Sequence, residues 1–329
     1  MDKRAFIGTM ALGVLAVRRG ARAQPARRVY RIGILGHGLR SEFSGPQPGS
    51  PPVNALLRRL GELGYVFGEH FVTEPRGSEG KPGRFPGLAV ELVRLQVDVI
   101  VAAGGTLAAL KQATATIPIV MAASDDPVAE GLVQSLGHPG GIFTGLSHQR
   151  AETTGKRLQL LKELVPGAVP VAVLWEPSGA LSWREADAAA HARVWTLLSL
   201  QIRSANELQM AFKTATDARA GGLLVITGEI AYPHRQRIAE LAAASRLPAM
   251  YDLRPFVEAG GLISYSADLN EIWRRAANFV DKILKGAKPA DLPIEQPTKF
   301  DLVVNLKAAK ALGLGIPQSV LLQADDVIR

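Results

Sequence analysis

Val97–Ala122 reads VDVIVAAGGTLAALKQATATIPIVMA, a complete α/β unit in one line. The apolar run Val97–Ala102 is a buried strand, Gly104-Gly105 a turn, and Thr106–Ala115 a helix. Pro118 breaks the helix and opens a second apolar strand, Pro118–Ala122. About 125 residues further on, Gly221–Tyr251 repeats the plan as GGLLVITGEIAYPHRQRIAELAAASRLPAMY. Strands apolar on both faces suit parallel sheets covered by helices on both sides. Two such units this far apart point to two similar α/β lobes. Loops at the carboxyl ends of their strands then face a cleft between them. The expected fold class is therefore α/β, two similar lobes with an interlobe ligand cleft.

The bulk composition fits that plan. A chain of 329 residues suggests about two domains. No cysteine is present, which excludes disulfides, thiolate metal sites, a cysteine nucleophile and a lipidated N-terminal cysteine. The first residues read as a secretion signal. Asp2-Lys3-Arg4 is a short basic-leaning start, Ala5–Val17 an uncharged apolar run, and Ala21-Arg22-Ala23 a small-x-small cleavage pattern. The apolar run falls short of the ~20 residues that span a bilayer. Cleavage near Ala23 would leave an exported, periplasmic protein. Lys3-Arg4-x-Phe6 resembles a twin-arginine signal with its first Arg replaced, so the export route stays open. Beyond residue 23, 33 basic residues face 29 acidic ones, a balance of +4 and not a nucleic-acid footprint. Arg27, Arg28 and Arg31 read as a solvated edge beside the first strand.

Strand and helix patterns alternate along the rest of the chain. Val29–Leu35 is a strand and Leu39–Pro52 a Gly- and Pro-rich loop before the helical spacing of Val53–Leu63. Ala129–Leu136 is expected as a short helix, Leu181–Ser199 as a long Ala-rich one, with Leu200–Arg203 a candidate strand. Asp268 stands where an N-cap for Leu269–Leu284 belongs.

No catalytic constellation emerges. Gly36-His37-Gly38 lacks the third glycine of a dinucleotide fingerprint, where Ser41 stands, and no Walker sequence occurs. The six histidines show no metal-like spacing. No G-x-S-x-G context supports a hydrolase. An enzyme, a metal and a cofactor are therefore not expected. Residues at strand ends are the better candidates. His37 follows the first strand. Asp125-Asp126-Pro127 follows another, and pairs a possible amine-binding carboxylate with an equally plausible turn and helix cap. Trp175-Glu176, Gly228-Glu229, Tyr251-Asp252 and Tyr265 end strands of the second series. Aromatics and carboxylates there suit a small polar ligand, although Trp175 and Tyr251 equally suit rim packing.

Several stretches carry a resemblance: Arg31–Leu35 (RIGIL), Leu60–Gly64 (LGELG), Leu88–Gly105 (LAVELVRLQVDVIVAAGG), Ile117–Leu136 (IPIVMAASDDPVAEGLVQSL), Pro139–Ser147 (PGGIFTGLS), Gly155–Gly167 (GKRLQLLKELVPG) and Phe256–Ser266 (FVEAGGLISYS). The most specific is the tail Ile283–Pro317, ILKGAKPADLPIEQPTKFDLVVNLKAAKALGLGIP. With them the chain resembles the ABC-transporter substrate-binding proteins of the tryptophan/tyrosine type. The resemblance implies a type I periplasmic-binding fold, two Rossmann-like lobes joined by three crossovers and closing on a small molecule. It implies a membrane permease and an ATPase as partners, and no catalysis. The chain would then divide into one lobe of residues 24–147 with about 255–297, and another of 148–254 with about 298–329. Carried over by position, Gly36, His37, Gly105, Thr106, Asp125 and Asp126 would line one side of the cleft. Trp175, Glu176, Gly228, Glu229 and Tyr251 would line the other, with Tyr265 near a crossover. Relatives often carry Asn where this chain has Glu176, and a carboxylate there would favour a cationic or hydroxylated ligand. The implied role is capture of an amino acid, aromatic or related metabolite for an ABC importer. The alternative is a periplasmic sensory module of the same fold.

Overall fold

The computed structural model describes residues 28–329, and the expected signal segment lies outside the described residues. Strands β1 (Tyr30–Gly36), β2 (Phe71–Gly77), β3 (Val99–Ala103), β4 (Ile119–Ser124) and β5 (Phe143–Ser147) form an all-parallel sheet in the order β2-β1-β3-β4-β5. Helices α1 (Pro51–Glu62), α2 (Phe85–Arg94) and α3 (Thr106–Ala113) supply crossovers. Side chains alternate along each strand. Ile32, Val99, Val101 and Val120 pack against α1, and Leu35, Ile100, Ile119 and Met121 against α2 and α3. Both faces of the sheet are thus buried, as the continuous apolar runs required.

The second lobe follows the same logic. Its helices are α4 (Thr154–Leu164), α5 (Ala180–His191), α6 (Leu208–Asp217), α7 (Arg235–Ala244) and the short α8 (Arg254–Glu258). Its strands are β6 (Val171–Trp175), β7 (Leu197–Gln201), β8 (Gly222–Val225), β9 (Ala249–Tyr251), β10 (Ile263–Ser266), β11 (Asp301–Asn305) and β12 (Asp326–Ile328). The order is β12-β11-β10-β9-β8-β6-β7, with β11 antiparallel to β10.

Three expectations are corrected. Ala129–Leu136 forms turns instead of a helix. The Asp126 carboxylate accepts from the amides of Val128 and Ala129, and Gly131 adopts φ +65, which a right-handed helix cannot use. Leu181–Ser199 is not one helix: α5 stops at His191, Val194 turns the chain at φ +56, and Leu197–Gln201 pairs with β6. Pairing and burial of Leu200 override a good helical propensity. Residues 255–266 do not join the first lobe, because Ile263 and Ser264 pair with Met250 and Tyr251 of β9.

The return to the first lobe falls at Ala267-Asp268. Asp268 caps α9 (Leu269–Leu284), accepting from the amides of Asn270 at 2.8 Å and Glu271 at 3.4 Å. Ile272, Trp273, Ala276, Phe279, Val280 and Ile283 face α1 and the first sheet at helical spacing. Glu295 then extends the β5 edge: its amide donates to Gly145 at 2.9 Å and its carbonyl accepts from Ser147 at 3.0 Å. The chain crosses back into β11, and α10 (Leu306–Ala311) and α11 (Gln318–Gln323) complete the second lobe.

Gly145 is a point of no slack in the first sheet. It adopts φ +127, and a Cβ there would lie 2.7 Å from the backbone nitrogen of Met121. Gly145→Ala is expected to destabilise the protein by about 2 kcal/mol or more. A urea unfolding midpoint equal to that of the native protein would show that β4 and β5 can part to admit the methyl group.

Candidate functional site

Carboxyl ends of strands from both sheets converge on one cleft of about 1380 Å³. The first lobe contributes Gly36-His37-Gly38 after β1, Gly104-Gly105 after β3 and Asp125 after β4. The second contributes Thr227-Gly228-Glu229 after β8 and the following turn at Tyr232. The crossover after β5 brings His148 and Arg150 to the floor.

The floor is a buried charge cluster. The Arg150 guanidinium pairs with Asp125 of the first lobe, and its Nε stands 3.6 Å from Asp252 of the second. Thr227 donates its amide to Asp252 at 2.9 Å and its hydroxyl to the same carboxylate. His148 holds its Nδ1 2.9 Å from the Ser124 carbonyl, so that nitrogen carries the proton, and its Nε2 lies 3.2 Å from Asp125. Burial pushes Asp125 up, but Arg150 and His148 outweigh it and hold the carboxyl below its ordinary value. Arg157 lies 1% exposed behind the cluster, its pKa pushed down to about 10 by burial. It has no carboxylate partner among the described residues. It donates to the carbonyls of Arg150 at 2.6 Å and Tyr265 at 3.1 Å, tying the first crossover to the strand that leads into the second. One buried cation, Arg150, thus faces two carboxylates, one from each lobe.

The walls differ in character. Phe43 lies over Gly36, where a Cβ would meet its ring at 2.6 Å, so the glycine admits the aromatic ring to the cleft. Val53, Leu253, Leu269 and Trp273 add apolar surface. His37 stands edge-on to Phe85 at 5.0 Å and faces Tyr232 of the other lobe at 6.5 Å. Burial, then the charge of Arg150, push its pKa down to about 4, so the imidazole is neutral at neutral pH. Glu229 has no ion pair or hydrogen bond to any described residue. Burial, then the neighbouring Glu176, raise its pKa.

Of the twelve residues expected in the cleft, Gly36, His37, Gly105, Asp125, Gly228 and Glu229 line it. The other six do not. Thr106 turns its hydroxyl back to the Ala103 carbonyl at 2.8 Å. Asp126 holds the turn described above. Trp175 stacks on Trp183 at 5.4 Å and donates its indole N–H to Ser199 at 2.8 Å. Glu176 accepts from the amides of Ile230 at 2.9 Å and Ala231 at 2.7 Å, so it shapes the loop that carries Glu229. Tyr251 is buried against Phe256 at 5.0 Å, and Tyr265 stacks on Phe300 at 5.7 Å. The sequence reading passed over Arg150, His148, Thr227 and Tyr232. Ser147-His148-Gln149-Arg150 does follow a strand, and applying the strand-end rule there would have found two of them.

Two α/β lobes joined by crossovers, with a cleft of charged floor and largely apolar walls between them, define a ligand-binding architecture. The chain belongs to the ABC transporter substrate-binding protein family, whose model matches residues 52–328. Among curated relatives, it is 24% identical over 263 residues to a tyrosine-binding protein of Clostridioides difficile, covering 79% of this chain and 75% of that one. Among solved structures it matches an ABC domain of Streptococcus pneumoniae in complex with L-Trp, at TM-score 0.83 and 26% identity over 92% of this chain and all of that one. It also matches a conserved domain protein of Vibrio cholerae at TM-score 0.82 and 25% identity, over 91% of this chain and all of that one. No helix among the described residues is long and apolar enough to cross a membrane.

The Glu229 carboxylate gives a signed prediction. Its folded-state pKa lies above the ordinary 4.5, so the folded state favours the protonated form. Native stability therefore falls as pH rises from 4.5 through the raised value. Glu229→Gln removes that loss. Its melting temperature is expected to match the native protein at pH 4 and to exceed it at pH 7.5. Scans at the two pH values check this, and equal melting temperatures at pH 7.5 would contradict it.

Proposed function

We propose that this protein captures an α-amino acid with an apolar or aromatic side chain and delivers it to the permease of an ABC importer driven by its ATPase. The observation that carries the reading is the half-buried Glu229 carboxylate, which faces the cleft with no partner among the described residues. Arg150 pairs with Asp125 and lies beside Asp252, and backbone amides hold Glu176, which leaves Glu229 open to a cation. A ligand ammonium satisfies it. A ligand carboxylate finds the Arg150 guanidinium and the amino end of α3, whose dipole favours an anion. Phe43, Trp273, Leu253 and Tyr232 offer an apolar wall to the side chain. The named relatives that bind tyrosine and L-Trp support the same class. Closing the lobes around such a ligand shifts an open–closed equilibrium, and the permease reads the closed form. Export to the periplasm fits this role, as does membrane contact through the permease alone.

A thermal-shift and calorimetric screen tests this. L-tryptophan and L-tyrosine are expected to raise the melting temperature saturably, with about 2.7 kcal/mol of added stability at a hundredfold excess over Kd. The N-acetylated and deaminated analogues are expected to bind at least about tenfold more weakly, because each loses a charge-assisted hydrogen bond of roughly 1.5–3 kcal/mol. Equal binding of the deaminated analogue would remove the ammonium from the recognition scheme. No shift with any amino acid would remove the class.

A further inference from the structure

Gly104 and Gly105 sit side by side at the start of α3, but only one is explained by its backbone. Gly104 adopts φ +58, in the left-handed region that favours glycine. Gly105 adopts φ −58 and ψ −15, an ordinary helical conformation open to any residue. Nothing local calls for glycine there.

The reason lies across the cleft. A Cβ built on Gly105 would overlap the carboxyl group of Glu229 and lie 2.9 Å from its Cγ. Glu229 follows β8 in the second lobe and Gly105 follows β3 in the first. The contact therefore exists only with the lobes together. The loop carrying Glu229 has little freedom to withdraw. The Glu176 carboxylate holds it at Ile230 and Ala231, and Thr227 is bound to Asp252 by both amide and hydroxyl. Since even Cγ is within the excluded distance, a methyl group at position 105 has two outcomes. Glu229 turns out of the cleft about its first side-chain torsion, or the lobes stay apart.

We propose that Gly105 is a positioning residue, whose missing side chain is the seat that holds the Glu229 carboxylate in the closed cleft. It acts on the ligand through Glu229 and touches no ligand atom itself. Lobe closure and placement of the recognising carboxylate become one event, because each half of the seat belongs to a different lobe. This deepens the amino-acid reading above and rests on it for its functional meaning, while the seat itself is testable without any ligand.

The test is a double-mutant cycle on the full protein: native, Gly105→Ala, Glu229→Gln and the double variant, with melting temperatures at pH 7.5. In the native background Glu229→Gln is expected to raise the melting temperature by about 2 °C or more, as it relieves a confined carboxylate. In the Gly105→Ala background that gain is expected to vanish, because the carboxylate has already left its seat. The same gain in both backgrounds overturns the proposal, since a merely structural role for Gly105 leaves the two changes additive. No gain in either background overturns it too, because the carboxylate is then not confined. Affinity for L-tryptophan and L-tyrosine gives a second cycle. Each single change is expected to weaken binding about tenfold and the double variant no further, whereas additive losses overturn the proposal. If the native protein binds neither probe, the amino-acid reading fails and the stability cycle still decides the seat.

Discussion

The buried guanidinium of Arg150 is the interaction on which the rest of the site depends. It lies in the first crossover, between a carboxylate from each lobe: Asp125 at the end of β4 and Asp252 at the end of β9. Buried ion pairs of this kind add little net stability over an apolar core, yet removing one partner costs about 3–5 kcal/mol. Their effect is to fix geometry. Arg150 sets how the two strand ends meet, Asp252 orients Thr227, and Thr227 opens the loop that carries Glu229. Arg157 sits behind this chain of contacts and holds the Arg150 and Tyr265 carbonyls, so one side chain ties the first crossover to β10, the strand that leads into the second.

That arrangement requires stiff lobes around it. Each sheet is buried on both faces by helices, and α9 returns from the second lobe to cover the first sheet with seven buried apolar side chains. Dense interiors do not deform continuously, so relative motion concentrates in the few residues of the crossovers. The charged cluster lies at those crossovers and at the strand ends beside them. A change in lobe spacing is therefore felt first by Asp125, Arg150 and Asp252, and by the polar groups they hold.

The duplicated strand–turn–helix units of Val97–Ala122 and Gly221–Tyr251 made both sheets legible, because a continuously apolar strand followed by a Gly turn has few other uses. The cleft was half legible. The strand-end rule placed His37, Gly105, Asp125 and Glu229, since it depends only on direction along a parallel sheet. It failed for Tyr251, whose side chain alternates into the core, while its neighbour Asp252 turns to Arg150. It failed for Trp175 and Glu176 for a related reason: an aromatic or a carboxylate at a strand end is equally useful as packing or as an acceptor for loop amides. Val194 and Gly131 broke expected helices through backbone conformations that no periodicity records. The pairing of β10 with β9 is non-local, and no pattern in residues 255–266 announces which lobe claims them.

The balance of charge gives the cleft its direction of preference. Asp125 is matched by Arg150, Asp252 by Thr227 with Arg150 beside it, Glu176 by backbone amides, and Glu130 by the Ser124 hydroxyl at 3.1 Å with two amides at 3.2 Å. Glu229 is matched by nothing among the described residues, although burial and Glu176 both disfavour its charge. A half-buried carboxylate without a partner disfavours its own charge, and a cation placed beside it offsets that cost. The cost falls when a cation enters the cleft, and it falls only where the carboxylate is held in place to meet it. In the proposed seat, Gly105 meets that condition from the opposite lobe. On the proposed reading, the empty space at its Cβ position and the unpaired charge of Glu229 act together, so that the closed arrangement is favoured when a cationic group lies between the lobes.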